Sequence, residues 1–406
     1  MRHVIVVGGG ASGLVAAISA ARNGASVTLL EQKERVGKKI LSTGNGRCNF
    51  TNKFMTTECF RSDDMKLIAD ILEKFGYEEA IQFFKELGIL YKDRNGYIYP
   101  ISDQASTILD VLRMEVQNLG VRMETDTCVT NISKAKRQFV IQTNHTQYKC
   151  DAVILATGGK ASPALGSDGK GYALAKQMGH SISPVVPALV QLRGVGSWFK
   201  QVAGVRTQAK VSLYVDGEFA ASDAGELQLT NYGISGIPVF QVSRFAAKAL
   251  YEKKKVVAEL DFRPEWTDAE FQTLIKERIC QKQEHTAEEF LVGIFHKKLA
   301  VMLLKEANIP LQIKMKDVHE AKLERFLTLC KHFQVQIEST NDFEQAQVCA
   351  GGVRTTEINS QTMESIFEKD FYLVGEVLDV DGICGGYNLH WAWATGLMAG
   401  EHAAKG

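Results

Sequence analysis

The first strong pattern along the chain is an apolar run, Val4-Ile5-Val6-Val7, that passes directly into Gly8-Gly9-Gly10-Ala11-Ser12-Gly13. An alanine-rich stretch with helical character follows, then a second apolar run, Val27-Thr28-Leu29-Leu30, closed by Glu31. Strand, glycine turn, helix, strand and acid in this register predict a dinucleotide-binding βαβ unit. Gly8 permits the tight turn, Gly10 lets a pyrophosphate approach the backbone, and Gly13 lets the helix pack close to the strand. The helix start, with Ala11 and Ser12, offers unpaired N–H groups and a positive dipole end to phosphate. Glu31 accepts hydrogen bonds from an adenosine ribose.

Beyond this unit the pattern changes several times. Residues 37–49 are polar and glycine-rich and predict a functional loop. Amphipathic spacing predicts helices near 64–75, 78–87 and 102–119, with a hairpin across Asn95-Gly96. Residues 121–132, 137–143 and 146–150 read as a strand and a short meander. Asp151 to Leu155 then reads as a buried parallel strand that ends in Ala156-Thr157-Gly158-Gly159, beside the same crevice as the first glycine turn. Alternation over 190–262, with a helix at 238–251, predicts a mainly β insertion, and 264–332 has helical spacing. Val335 to Glu338 returns to the β pattern as one short strand.

The last sixty residues resume the first theme. Phe371 to Val374 is an apolar strand ending in Gly375-Glu376, and a loop through Gly385-Gly386 leads to an alanine-rich terminal helix. These signals predict an α/β protein with a discontinuous nucleotide domain at 1–190 and 345–406. The inserted β domain takes 191–262 and 334–344, and a helical domain takes 263–333.

Composition narrows the function classes. Forty-seven basic and 47 acidic residues leave zero formal net charge, so no nucleic-acid partner is expected. No apolar run approaches the roughly 18–20 residues of a spanning helix, and the N-terminal apolar segment reads as a strand rather than a signal peptide. The expectation is a cytoplasmic protein without membrane contact that acts on a small molecule. Eight cysteines contain no C-x-x-C and no zinc spacing, so no metal site is expected and Cys48 has no redox partner nearby in sequence.

An apolar strand ending in Gly375-Glu376 near a terminal helix suits FAD rather than NAD: the acid takes ribityl hydroxyls, and the helix start offers N–H groups to the flavin carbonyl edge. The chain order of Gly8 to Gly13, Glu31, Ala156 to Gly159 and Gly375-Glu376 resembles glutathione-reductase-type FAD domains. Three further stretches are similar to the aminoacetone-oxidase-like, bile-acid-flavoreductase-like flavoproteins: Thr43-Gly44-Asn45-Gly46-Arg47-Cys48-Asn49, Gly351-Gly352-Val353, and Thr362 to Ser365 leading to Gly382 and Gly385-Gly386-Tyr387-Asn388. The resemblance also takes in Gly166 to Tyr172 and departs at His390, where Gln is usual, and around Leu227 to Gly236.

This resemblance implies a three-domain Rossmann-like FAD protein. It adds Gln32, Lys39, Asn45, Gly46, Arg47, Cys48, Asn49, Val129, Asp379, Gly385, Gly386, Tyr387 and Asn388 to the cofactor-binding set. Arg47 can neutralise the pyrophosphate or a substrate anion, or cap neighbouring carbonyls, and cofactor contact is the favoured reading. His390, Tyr387 and Asn388 are the candidates for catalysis, His390 because a histidine near a flavin can move a proton.

The implied activity is hydride transfer between flavin and a small or steroid-like compound, as an NAD(P)H-dependent reductase of a ketone or enone. Alternatives are an oxygen-dependent oxidase of an amino ketone or amine, and a flavin-dependent RNA-modifying protein. No second strand–glycine–helix unit exists for NAD(P)H, so that donor binds transiently or the substrate itself reduces the flavin.

Overall fold

The computed structural model describes all 406 residues, and its contacts divide the chain into two compact units. One comprises Met1–Val185 with Gln347–Gly406, the other Val186–Ala346. No helix is long and apolar enough to cross a membrane.

The first unit is built on a five-stranded parallel sheet. His3–Val7 lies at its centre, with Ser26–Leu30 and then Arg122–Glu124 on one side, and Ala152–Leu155 and then Phe371–Leu373 on the other. Val4, Ile5, Val6 and all of Ala152–Leu155 are fully buried, as a parallel sheet covered on both faces requires. The helix Ala11–Arg22 covers one face and packs along the terminal helix Tyr387–Lys405. Their approach depends on small residues. A Cβ on Gly396 or Gly400 would stand 2.6 Å from Ser12 O or 2.4 Å from Ala16 O, and Ser19 Oγ donates to Leu397 O at 2.7 Å.

The helices expected near 64–75, 78–87 and 102–119 occupy Met65–Lys74, Tyr77–Glu86 and Ala105–Asn118. The hairpin Tyr91–Arg94/Tyr97–Pro100 turns at Asn95 (φ 54°) and Gly96 (φ 89°), the left-handed pair that suits the twist of two strands. The strand expected over 121–132 is two strands. Asp126 is left-handed (φ 54°) and donates its N–H to Lys33 O, which breaks the run between Arg122–Glu124 in the parallel sheet and Val129–Ala135 in an antiparallel meander with Gln138–Thr143 and Gln147–Cys150.

The second unit is a closed six-stranded barrel. Its order is Leu192–Gly194, Gly233–Gly236, Glu218–Leu229, Arg206–Val215, Val256–Asp261 and Phe333–Thr340, the last strand meeting the first. Closure removes sheet edges. The four-residue alternation at Val335–Glu338 therefore marks the strand that closes the barrel. Helices Asp268–Lys282, Lys297–Glu306 and Glu320–Lys331 follow in the expected helical segment. Phe271, Phe290, Leu299 and Phe326 join the barrel's Val211, Leu260 and Phe333 in one apolar core, so these helices share a core with the barrel instead of enclosing their own.

Candidate cofactor and active site

At the first turn the glycines have separate roles. Gly8 has φ 106° and a Cβ there would lie 2.4 Å from Ala156 O, while a Cβ on Gly13 would lie 1.8 Å from Gly8 O. Both are needed to pack the turn. Gly10 has nothing within 4 Å of the corresponding position, and the helix it precedes has no side-chain cap. The uncapped N–H groups of Ala11 and Ser12 therefore adjoin open space, where an anion can approach.

Glu31 is buried beside this turn. Its Oε2 accepts from Gly9 N and its Oε1 from Lys33 N, both at 2.8 Å. Burial raises its pKa, opposed by those backbone N–H groups. Each carboxylate oxygen keeps a lone-pair site for a further donor. Gln32 Nε2 donates to Gly166 O at 2.6 Å and so ties the second strand to the loop 166–169; Val129 is buried at the start of its strand.

The turn Thr157-Gly158-Gly159 collects residues from distant parts of the chain. The Cβ position of Gly158 is 2.7 Å from Ser167 Oγ, and that of Gly159 is 3.2 Å from Tyr172 OH, 3.3 Å from Glu376 O and 3.4 Å from Cys349 Sγ. Gly171 must be glycine because a Cβ there would overlap Thr157 Oγ1 at 1.8 Å. Glu376 Oε2 accepts from Lys39 Nζ at 2.8 Å, joining the last strand to the 37–49 loop. Gly375 (φ 71°) abuts Ser12, whose Oγ is 2.6 Å from its Cβ position, and donates its N–H to Thr395 Oγ1 at 3.0 Å. The first glycine turn, the 157–159 turn and Gly375-Glu376 thus form one site.

A second group lies at the start of the terminal helix. Gly385 (φ 135°) and Gly386 (φ 93°) let the chain pass against Asn49 and Thr51; a Cβ on Gly386 would be 2.9 Å from both Asn49 Oδ1 and Thr51 O. Within the 37–49 loop Gly44, Asn45, Gly46 and Cys48 all have positive φ, and Gly46 faces open space. Tyr387 OH donates to Phe54 O at 3.1 Å, and burial raises its pKa. The Asn388 side chain grips Gly382 on both sides, accepting from its N at 2.8 Å and donating to its O at 2.9 Å. Tyr387 and Asn388 therefore act as fasteners of the 382–386 loop.

Three of the expected residues lie behind the site rather than in it. His390 is fully buried, with Nδ1 2.9 Å from Thr51 Oγ1 and Nε2 3.0 Å from Phe75 O. A carbonyl only accepts, so Nε2 carries the proton and Nδ1 takes the Thr51 hydroxyl. Burial drives the His390 pKa down to about 4. A neutral, enclosed imidazole with both nitrogens committed has no proton to exchange with a substrate, which corrects its candidacy as the catalytic group. Asp379 is 1% exposed and gives one oxygen to Gly351 N (2.9 Å) and the other to Ser183 Oγ (2.6 Å), so it anchors a loop instead of meeting a cofactor. Cys48 is fully buried and its thiol is pushed up to about 12, which leaves it packed and unreactive.

Sequence reasoning left out Ser167, Tyr172 and Cys349. Ser167 and Tyr172 both lie within the Gly166 to Tyr172 motif, which is their one signal in the sequence, and Cys349 has none. Tyr172 OH, Thr157 Oγ1 and Asn49 Oδ1 are buried without a hydrogen-bond partner in the chain. Orphaned buried polar atoms are costly and call for a partner. Three such atoms around two glycine cradles fit the hydroxyl-, phosphate- and carbonyl-rich FAD that the sequence implies.

A family profile described as HI0933-like protein Rossmann domain matches residues 2–402. The 3-dehydro-bile acid delta(4,6)-reductase of Clostridium scindens is 49% identical over 407 residues, covering 100% of both chains. The ribosomal RNA dihydrouridine synthase of Haemophilus influenzae is 29% identical over 402 residues, 96% of each chain. Among solved structures, the 3-ketosteroid-delta4-(5alpha)-dehydrogenase of Rhodococcus jostii RHA1, in complex with 4-androstene-3,17-dione, matches with a TM-score of 0.51. At 15% identity over 100% of this chain and 97% of that one, it is a likeness of fold.

Proposed function

The chain belongs to the HI0933-like family of Rossmann-domain proteins, and from that premise we propose that this FAD-dependent oxidoreductase reduces a carbon–carbon double bond conjugated to a ketone, in a steroid-like substrate, with NADH or NADPH as transient hydride donor. The observation that carries this reading is the 49% identity, end to end, with a protein named for reducing the 4,6 double bonds of a 3-dehydro-bile acid.

Bound FAD supplies the two-electron hydride chemistry at its N5. The chain's own residues bind and orient. Ala11, Ser12 and Gly13 offer N–H groups to the pyrophosphate, and Glu31 offers its remaining lone pairs to the adenosine ribose. Glu376, held by Lys39, takes ribityl hydroxyls. The Gly386–Asn388 helix start lends its positive dipole end to the flavin carbonyl edge and favours added negative charge there. Thr157, Tyr172 and Asn49 complete their hydrogen bonding on the cofactor.

Anaerobic titration of the purified yellow protein tests the reading. NADH or NADPH is expected to bleach the flavin and a 3-keto-4-ene steroid to restore its colour. Bleaching by an amino ketone alone, with hydrogen peroxide formed in air, would instead establish the oxidase.

The similarity to a ribosomal RNA dihydrouridine synthase favours a second reading. The uracil C5=C6 bond is also conjugated to a carbonyl, so one flavin chemistry serves both substrates. Zero net charge weighs against a polynucleotide. Nucleoside mass spectrometry of ribosomal RNA from cells with and without the gene decides it: loss of dihydrouridine on deletion establishes the RNA substrate.

A further inference from the structure

Gly179 (φ 91°) closes the helix Lys170–Gln177 with a turn in which His180 N donates to Ala175 O at 3.2 Å. The His180 side chain points inward, with none of it exposed. Its Nδ1 lies 3.1 Å from Oε2 of Glu357, an oxygen that also accepts from Ser181 N at 2.9 Å. A carboxylate only accepts, so Nδ1 carries the proton and Nε2 is a bare lone pair. That Nε2 is buried with no hydrogen-bond partner in the chain. Aromatic rings surround it: Phe367 meets the imidazole edge-on with centroids 5.3 Å apart, and Phe371 lies at 6.1 Å.

The two rings differ in freedom. Phe371 is fully buried in the edge strand Phe371–Leu373, whereas Phe367 is 52% exposed and stands on the turn 365–370. Few bonds hold that turn: Phe367 N and Glu368 N donate to Ser365 Oγ at 3.1 and 3.2 Å, and Ile366 N donates to Glu357 O at 3.1 Å. Ser365 N donates to Phe371 O at 2.8 Å and Leu373 N to Met363 O at 3.2 Å. Residues 363–365 therefore lie along the outer edge of the strand that runs on into Gly375-Glu376. The other charges of these elements are engaged or exposed. Glu368 pairs with Lys134 at 2.6 Å, Asp370 pairs with Arg2, and Glu364 accepts from Asp370 N at 2.7 Å. Lys176, Arg354 and Lys369 are exposed, and Tyr372 alternates to the face of the strand opposite Phe371. Burial lowers the His180 pKa, against the opposing pull of Glu357, the one charge that acts on it.

We propose that His180, Glu357 and Phe367 form an acid-operated latch on this edge of the sheet: a proton taken up at His180 Nε2 displaces Phe367, loosens the 365–370 turn and weakens the hold of Gly375-Glu376 on FAD. A second N–H on the ring has no acceptor in the chain, and an unsatisfied donor on a buried charged ring is costly. Phe367 is the neighbour that can leave, because its outer face already meets solvent. Its departure lets water reach Nε2 while Glu357 still accepts from Nδ1. By reciprocity, bound FAD favours the neutral, closed latch. The inference rests on FAD binding alone and is independent of the substrate.

Hydrogen–deuterium exchange of the holoprotein tests the latch, read in peptides over 364–370 and corrected for the intrinsic pH dependence of exchange. As pH falls from about 7.5 to about 5.5, one unit below the ordinary histidine pKa, exchange there is expected to rise by up to about tenfold, while the helix Ala11–Arg22 stays unchanged. His180→Gln can bond Glu357 without titrating, and its exchange is expected to stay flat. Its FAD dissociation constant, from flavin fluorescence, is expected to rise less than that of the wild type over the same range. At the upper pH, diethylpyrocarbonate is expected to label His180 in Phe367→Ser and not in the wild type. Flat wild-type exchange, or an equal rise in His180→Gln, overturns the latch. Equal labelling of His180 in the wild type and Phe367→Ser overturns Phe367 as its cover. An exchange response with FAD affinity falling equally in wild type and His180→Gln overturns the link to the cofactor.

Discussion

His390 couples protonation to folding. Its imidazole is neutral in the native protein because burial holds the pKa near 4, against 6.5 when unfolded. Between those values the unfolded chain binds more protons, so stability is full above about pH 6.5 and is lost as pH falls toward 4, by up to about 1.4 kcal/mol per pH unit. Glutamine at this position can donate to Phe75 O and accept from Thr51 Oγ1 without titrating. His390→Gln is therefore expected to flatten the fall in urea midpoint between pH 6.5 and 4 while leaving flavin turnover intact. A loss of turnover with an unchanged stability profile would restore His390 to the chemistry. Cysteine reactivity is a second check at this scale. Cys280 is exposed and Cys48 buried, so mass mapping after native iodoacetamide treatment is expected to find label on Cys280 and none on Cys48.

Two helices carry the architecture of the site. The terminal helix meets the helix after the first glycine turn through Gly396 and Gly400, which face Ser12 and Ala16 backbone atoms. Gly396→Val forces these helices apart at the turn that presents Ala11 and Ser12. It is expected to cost about 1–3 kcal/mol as overpacking, seen as a lower denaturant midpoint, and to weaken FAD retention in gel filtration; unchanged flavin content would break the link. At this scale the sequence was most legible where local rules suffice. Gly8, Gly10 and Gly13 follow from spacing, and Asn95-Gly96 follows from turn chemistry. The single strand read over 121–132 failed because apolar alternation does not register a left-handed Asp126 whose N–H is drawn to Lys33. Tyr172, Ser167 and Cys349 were missed as site residues because only folding brings them to the 157–159 turn. His390 was misjudged because a helical histidine looks the same in sequence whether it lines a pocket or fills a core.

Over the whole molecule, the two units are continuous with different parts of the chain. Within the first unit Ser183 N donates to Gly352 O at 2.8 Å, and the Cβ position of Gly351 is 2.0 Å from Pro184 O, so the chain leaves and re-enters at one place. Replacing residues 186–346 with a short Gly-Ser linker is therefore expected to yield a folded, yellow, FAD-binding protein. Colourless aggregate from this variant would show that the first unit depends on the second.

That re-entry also orders events during synthesis. The strand Ala152–Leu155 waits for Phe371–Leu373 on its outer side, and the helix Ala11–Arg22 waits for a partner that begins at Tyr387. While the ribosome still holds the last sixty residues, the barrel unit is already complete in sequence and the nucleotide unit lacks an edge strand and a covering helix. The nascent chain thus matures from its middle outward, and cofactor capture waits until the Tyr387–Lys405 helix has emerged and docked.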